Sequence, residues 1–511
     1  MKKVFLLVLL IPVLGLYAQK KSNPVSLAKA ITTEDLKKHL YTIAGKEMEG
    51  RGTPSPGLDK AAAYIENHFR SLGLKPGNNG SFLQTYPVYK DSTTGASVSV
   101  NETGFELNKD FQPGVANNHT AEMRFSEVVF AGYGIVDDNV NDYKDLDVAG
   151  KLVLIVDGAP ADYKTTLTGS RSPASSSAKY YVAQRKGAAA VLLVSKDFPR
   201  KASTLSSQYK MNIFQKALPP NVFTISTVIA ENILGDSAKN FYQKMKLESI
   251  QRKVYSASVA LTFSKVTSMA HASNVIGVLE GGDLKDEYVF ITGHYDHLGM
   301  RDSVIYYGAD DDGSGTTSVL ELASAFAKAK AAGKGPRRSI VFMTVSGEEK
   351  GLWGSQYYTE HPLIPLEKTT VDLNIDMVGR TDSSRKQGDS TNYVYVVGDD
   401  KLSSDLRVIS EGMNNKYTKI ELDYKFNDPN DPQRIYFRSD HYNFAKHGVP
   451  IIFYYDGMLG ADYHKPTDTP DKINFELMVK RDRLIFHTAW EMANRNDMLK
   501  RDIPLETPKA F

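Results

Sequence analysis

The 511-residue chain has no cysteine. That excludes disulfides, a thiolate nucleophile, Cys-ligated zinc or iron–sulfur centres, and lipid attached through a thiol. Any metal site must therefore be built from His, Asp and Glu. Excess charge is lacking too: 62 Lys and Arg stand against 60 Asp and Glu, a net charge of +2. A balance this even leaves no basic footprint for nucleic acid. No apolar run, that of the first residues included, reaches the ~20 residues that span a bilayer. What is present is ordinary globular composition, 41% apolar and 24% charged, which argues against a disordered chain. The length suggests two to four domains at ~150 residues each.

The start of the chain reads Met1-Lys2-Lys3, an apolar run from Val4 to Tyr17, then Ala18-Gln19. A basic start, a short apolar stretch and a small residue at the break are the parts of a secretory signal peptide. Residues 1–18 are expected to be that signal, and the mature protein to be exported, periplasmic or extracellular, with no integral membrane segment. Removing Lys2 and Lys3 would take the net charge from +2 to 0. A chain this long can bury enough surface without disulfides.

Apolar spacing predicts helices over Glu34–Ala44 and Asp59–Leu72, joined by the loop Gly50-Arg51-Gly52-Thr53-Pro54. Residues from Thr33 to about Tyr89 read as helical overall. Near Ser97 the pattern changes to β-formers, with apolar runs at Leu152–Val156 and Ala188–Val194 and strict alternation over Val254–Phe263. Residues 103–264 are therefore expected to form a separate or inserted small domain. From Ala270 on, short apolar strands alternate with helices. Strands are predicted at Asn274–Leu279, Tyr288–Thr292, Ser339–Thr344, Thr370–Ile375, Tyr393–Val397 and Pro450–Tyr454. Helices are predicted at Gly315–Lys330, Leu352–Glu360, Lys401–Asn414 and Phe475–Asn494. This pattern implies an α/β fold with a central sheet covered on both faces.

Chemistry-bearing residues gather at the ends of these strands, where open α/β sheets place their sites. Gly293-His294-Tyr295-Asp296-His297 follows one strand, with His294 and Asp296 two apart and so aimed alike in extended chain. A metal-binding histidine commonly donates its other ring N–H to a carboxylate, a part open to Asp296. Gly308-Ala309-Asp310-Asp311-Asp312-Gly313-Ser314-Gly315 opens a helix. One aspartate suffices as a helix cap, and three in a row repel one another unless a cation lies among them. Ser346-Gly347-Glu348-Glu349 offers one carboxylate for metal and its neighbour for water. Asp376 ends an apolar strand, where a charge needs a partner, and Tyr463-His464 lies in the loop before the last helix. Together these supply donors for two zinc ions ~3.5–4 Å apart.

The ordered set Gly-His-x-Asp, Gly-Ala-x-Asp-Asp-Gly-Ser-Gly, Gly-Glu-Glu-x-Gly-x-x-Gly-Ser, Asn-x-Asp-Met-x-Gly, Arg-Ser-Asp-His and Tyr-His resembles the co-catalytic zinc aminopeptidase and glutamate carboxypeptidase family of metallopeptidases. The resemblance covers about Thr33–Tyr89 and Ala270–Asn494. The intervening segment, through Gly132-Tyr133-Gly134, Gly150–Leu154 and Lys186–Ala189, resembles a protease-associated domain. The resemblance implies a mostly parallel, mixed sheet sandwiched by helices. It divides the chain into a discontinuous catalytic domain, residues 19–102 and 265–511, and an insertion at 103–264. It implies two zinc ions per chain, one held by His294 and Asp376, the other by Glu349 and His464, with Asp311 bridging. Glu348 falls on the general base, Asp296 on the residue orienting His294, and Tyr463 on an oxyanion donor. Arg438 and Tyr455 match substrate-binding positions. It also implies a cis Asp311–Asp312 peptide bond, and peptides as substrates. Secreted members often carry a disulfide near the site; this chain cannot.

The activity expected is an aminopeptidase that cleaves N-terminal residues. Its rivals are a carboxypeptidase for acidic C-termini, a single-zinc glutaminyl cyclase, and a non-catalytic receptor-like binding protein. His297 is expected to be structural. The run Ser439-Asp440-His441 is not expected to form a triad, because triad members come from separate loops.

Overall fold

The computed structural model describes residues 24–202, 205–212, 214, 218–238 and 250–505. The expected signal at 1–18 lies outside the described residues. No helix among them is long and apolar enough to cross a membrane. The chain divides into two compact units, Met1–Tyr86 with Ala272–Phe511, and Pro87–His271. The second is wider than the 103–264 expected, because the change of composition near Ser97 lies inside a strand. Strands Leu83–Val100 and Val254–Leu279 run unbroken through the points where the units divide. The stretch up to Tyr89 also departs from its helical reading, since it is already strand from Leu83.

In the larger unit, β1 is the segment Val275–Leu279, the end of Val254–Leu279. It is followed by β2 (Leu284–His294), β3 (Arg338–Val345), β4 (Thr369–Ile375), β5 (Tyr393–Val397), β6 (Glu421–Asp423) and β7 (Ile451–Tyr455). Their spatial order is β6-β5-β7-β4-β2-β3-β1. The pairs β2–β3, β2–β4 and β4–β7 are parallel, so these four strands end on one side. Antiparallel pairings to β1 and β5 flank them. Every residue of β3 and β4 is buried, as a sheet covered on both faces requires.

Alternate residues serve the two covering layers. Phe290 of β2 meets Tyr358 at 5.7 Å and Phe444 at 5.5 Å, from helices Trp353–Glu360 and His441–Lys446. On the other face Phe342 of β3 meets Phe326 at 6.2 Å, and Phe326 lies 4.5 Å from Phe486 and 6.0 Å from Trp490. These belong to helices Gly315–Ala331 and Phe475–Asn494. Three helix starts follow capping chemistry: Thr32, Ser55 and Asn474 accept from the amides of Asp35, Leu58 and Leu477. The helix predicted at Lys401–Asn414 begins only at Leu406, because Leu402 takes a left-handed conformation, φ 61°.

In the smaller unit a sheet orders Val254–Phe263, Ala121–Phe130, Leu152–Val156, Ala190–Val194, Asn221–Ile225 and Phe111–Pro113. Leu152, Leu154 and Val156 enter one core cluster and Val153 and Ile155 another, so this strand too is buried on both faces.

Because Phe326 joins both helices to the sheet, Phe326→Ala should lower stability by about 3–5 kcal/mol. Thermal or denaturant unfolding reads this, and an unchanged midpoint would show that this aromatic layer does not hold the unit together.

Candidate metal centre

The parallel strands of the larger unit bring the predicted residues to one end of the sheet. His294 is the last residue of β2. Its Nδ1 lies 3.1 Å from the backbone carbonyl of Asp296 and 3.6 Å from that residue's carboxylate. Asp296 therefore orients the ring mainly through its main chain. Its carboxylate instead accepts from Thr53 Oγ1 at 3.0 Å and from the Glu348 amide at 3.1 Å. The other ring nitrogen, Nε2, faces Asp311 at 3.3 Å, Asp376 at 3.6 Å and Glu348 at 3.9 Å.

The three consecutive aspartates divide their tasks. Asp312 accepts from the amides of His294, Gly315 and Met377, which caps the helix and ties it to β2 and to the end of β4. Asp310 accepts from the Gly379 amide at 2.9 Å. Asp311 is left to face His294 and His464, the latter at 3.1 Å. Its amide and that of Asp310 are held by the Asp468 carboxylate. The Asp311–Asp312 peptide is cis, as the resemblance implies.

Gly347, at φ 73°, turns the chain after β3 and presents the two glutamates. Glu349 meets His297 Nδ1 at 2.7 Å and His464 Nε2 at 3.1 Å. Gly308 leaves room for the His297 ring, since a Cβ there would lie 2.4 Å from it. Two groups of donors result: His294, Asp311 and Asp376, and His297, Asp311 and Glu349, with the atoms of each group within 4.8 Å of one another. His464 reaches the Asp311 and Glu349 of the second group.

These atoms fit a metal better than they fit one another. His294 Nε2, both ring nitrogens of His297, Asp311 Oδ2 and Glu349 Oε1 are buried without a hydrogen-bond partner of acceptable geometry. Buried polar atoms of native proteins are rarely left so. Imidazole and carboxylate donors with no thiolate suit zinc. Burial pulls the His294 imidazole down, but Asp376, Glu348, Asp296 and Asp311 outweigh it and raise it well above its ordinary value. Burial likewise opposes His464, and its contacts with Asp311 and Glu349 raise it to about 10. Burial and the neighbouring Asp311 push Glu349 up, and His297 and His464 more than offset this, so it is lowered. Glu348 goes the other way: burial, with Asp376 and Glu349 beside it, raises it well above the usual carboxylate range despite His294.

Asp311, Glu348 and Asp376 also line a recess shared with Arg438, Tyr455 and Tyr463. Arg438 Nη2 donates to the Tyr463 hydroxyl at 3.0 Å, and the Tyr463 ring stacks on His464 at 3.9 Å. Phe453, which lies 5.3 Å from Tyr455, Ile435 and Leu459 give the recess an apolar wall. Asp440 and His441 turn elsewhere. Asp440 accepts from Ser355 at 2.5 Å, and His441 Nε2 pairs with the Tyr436 carbonyl at 2.8 Å, so Ser439-Asp440-His441 is no triad. Sequence reasoning missed the placement of His297, Asp468, Arg51 and Thr53. The second His of His-Tyr-Asp-His was the one visible hint.

A parallel α/β sheet thus carries two groups of His and carboxylate donors at its strand ends. Residues 274–489 match the profile of Peptidase family M28, and residues 124–228 match that of the PA domain. One stretch of the chain is thus similar to M28 peptidases, and a stretch before it is similar to PA domains. It is 31% identical over 219 residues to a probable leucine aminopeptidase of Arthroderma otae, covering 42% of this chain and 56% of that one. The chain thus spans about half the length of that relative. The fold is similar to an aminopeptidase from Aneurinibacillus sp. strain AM-1, with TM-score 0.54 and 19% identity over 96% of this chain and 100% of that one. It is also similar to a zinc aminopeptidase from Bacillus subtilis, with TM-score 0.51 and 19% identity over 93% and 99%.

The carboxylates around His294 and His464 favour their protonated forms, so zinc bound through these imidazoles would have to displace their protons. Adding zinc to weakly buffered metal-free protein should release acid, and apparent affinity should fall as pH is lowered. Zinc uptake with no acidification would exclude these imidazoles as ligands.

Proposed function

We propose that the chain is an exported aminopeptidase that binds two zinc ions and hydrolyses the first peptide bond of substrates with a free N-terminus. The observation that carries this is the pair of donor groups meeting at Asp311, with Glu348 beside both and an open recess next to them. His294 and Asp376 would hold one ion and Glu349 and His464 the other, with Asp311 shared. His464 is preferred to His297 as the ligand because it stands 3.1 Å from both carboxylates, whereas His297 lies 2.7 Å from Glu349 but 3.9 Å from Asp311. His297 then orients Glu349.

Zinc, when bound, polarises the scissile carbonyl and makes water acidic enough to react at neutral pH. In this reading Glu348, 3.9 Å from His294, takes the proton of the attacking water and returns it to the leaving amine. Burial beside Asp376 and Glu349 raises this carboxyl, which strengthens its hold on a proton. The Asp296 carboxylate holds the Glu348 main chain through its amide. The Tyr463 hydroxyl receives a hydrogen bond from Arg438, so its own proton is free for the oxygen that gains charge in the transition state. The similarity to a probable leucine aminopeptidase supports amino termini over acidic C-termini as the end that is cleaved.

The zinc-loaded protein should cleave peptides with free amino termini and leave their N-acetylated counterparts intact. Release of C-terminal residues would instead establish a carboxypeptidase. A content near one zinc per chain together with cyclisation of N-terminal glutamine would establish the cyclase, and zinc binding with no turnover of any peptide would leave a binding protein. Glu348→Gln should keep its zinc and lose turnover by about 100- to 10,000-fold; near-normal turnover would remove Glu348 as the base. His464→Ala should lose one zinc, and His297→Ala should keep the full count with weaker binding. The reverse pattern in metal analysis would exchange the two roles.

A further inference from the structure

The loop Gly50–Thr53 touches the donor groups from a distant part of the sequence, although nothing in the proposed chemistry uses it. Arg51 is wholly buried. Among the described residues its guanidinium donates only to carbonyl oxygens: Nε to Tyr295 at 2.7 Å, Nη1 to Tyr307 at 2.6 Å and to Ile43 at 3.0 Å, and Nη2 to Gly308 at 2.8 Å. Tyr295 lies between His294 and Asp296, and Gly308 opens the turn that carries Asp311. One rigid, planar fork therefore spans the segment of one donor and the segment of the shared donor. The Arg51 carbonyl also accepts from the His297 amide at 3.1 Å. Two residues on, Thr53 Oγ1 donates to Asp296 Oδ2 at 3.0 Å, while Asp296 Oδ1 takes the Glu348 amide. Asp296 is fully buried, and Thr53 nearly so.

The backbone of the loop is bent to this use. Glu49 and Arg51, neither of them glycine, take left-handed φ of 52° and 53°. A Cβ on Gly50 would lie 2.4 Å from the Tyr306 carbonyl and 2.5 Å from that of Gly299. Non-glycine residues hold such conformations only where surrounding contacts dictate them.

We propose that this loop is a clamp that sets the spacing of the donor groups, with Arg51 and Thr53 as positioning residues. Arg51 fixes the His294 segment against the Asp311 turn. Thr53 fixes the carboxylate from which the Glu348 amide hangs. The proposal rests on the reading of the site as a zinc centre, and its test separates the two.

The variants are Thr53→Val, which keeps the shape of the side chain without the donor, Thr53→Ser, which keeps the donor, and Arg51→Lys. Zinc affinity is read by competition with a chromogenic chelator, and kcat and KM on a cleaved peptide. Deuterium exchange is followed in the zinc-free protein over 294–298, 307–313 and 346–352. Thr53→Val should bind zinc about 10–100-fold more weakly, lose kcat with KM unchanged, and exchange faster over 346–352. Thr53→Ser should restore all three. Arg51→Lys should exchange faster over both 294–298 and 307–313. If Thr53→Val lowers only the melting temperature and leaves zinc affinity, kcat and exchange as in the wild type, the clamp is overturned. If the wild type takes up no zinc, the zinc reading falls, and the zinc-free exchange still decides the clamp: unchanged exchange in Thr53→Val overturns it.

Discussion

Crowded negative charge governs this structure. Asp311, Glu348, Glu349 and Asp376 converge at one end of a sheet, with Asp296, Asp310 and Asp312 close behind. Carboxylates this near to one another in a low-dielectric interior repel strongly unless something opposes them. The chain answers in three ways. Backbone amides take up Asp310 and Asp312. Imidazoles face the carboxylates of the two donor groups. Arg51 brings a buried positive charge close behind. What remains unsatisfied after these answers is a set of nitrogens and oxygens pointed inward, the residue of charge that the zinc reading accounts for.

The same constraint explains why adjacent acidic residues differ so much. Along Asp310-Asp311-Asp312 the outer two carboxylates act as main-chain acceptors and the middle one alone faces the histidines. Along Glu348-Glu349 burial beside other acids pushes the first up, and two imidazoles bring the second down. Neighbouring carboxyls of one chemical type thus differ in how firmly they hold a proton. Their surroundings make the distinction, and those surroundings come from other strands.

That origin sets the limit of what could be read from sequence. Apolar runs bounded by turn residues gave away β4 and β5 almost to the residue, and the last helix starts and stops at the predicted Phe475 and Asn494. Strand ends were legible because a polar cluster follows each apolar run, and so the acidic and histidine clusters were legible too. The strand over Leu83–Tyr89 was not, because Pro87 and the aromatics there fit no clean alternation. Asp468 stands in the polar loop before the last helix with nothing local to mark it, and tertiary contact makes it the acceptor for two amides of the Asp310–Asp311 turn. Thr53 and Arg51 sat in a loop defined by its glycines and proline, where nothing local marks a buried guanidinium. His297 was displaced by its neighbour His294, since spacing could favour one of them but could not show that both face Asp311.

The reach of Arg51 has a consequence for how the molecule comes into being. Its carbonyl partners lie 244 to 257 positions downstream, apart from Ile43, and His464 is synthesised later still. During translation the loop is made long before anything it can hold, and the whole smaller unit leaves the ribosome in between. Contacts between such distant segments are slow to form. A nascent chain can complete its smaller unit while the donor groups are still in separate pieces. Assembly of the centre is then a late event, so metal offered early would meet scattered histidines and carboxylates, not a site.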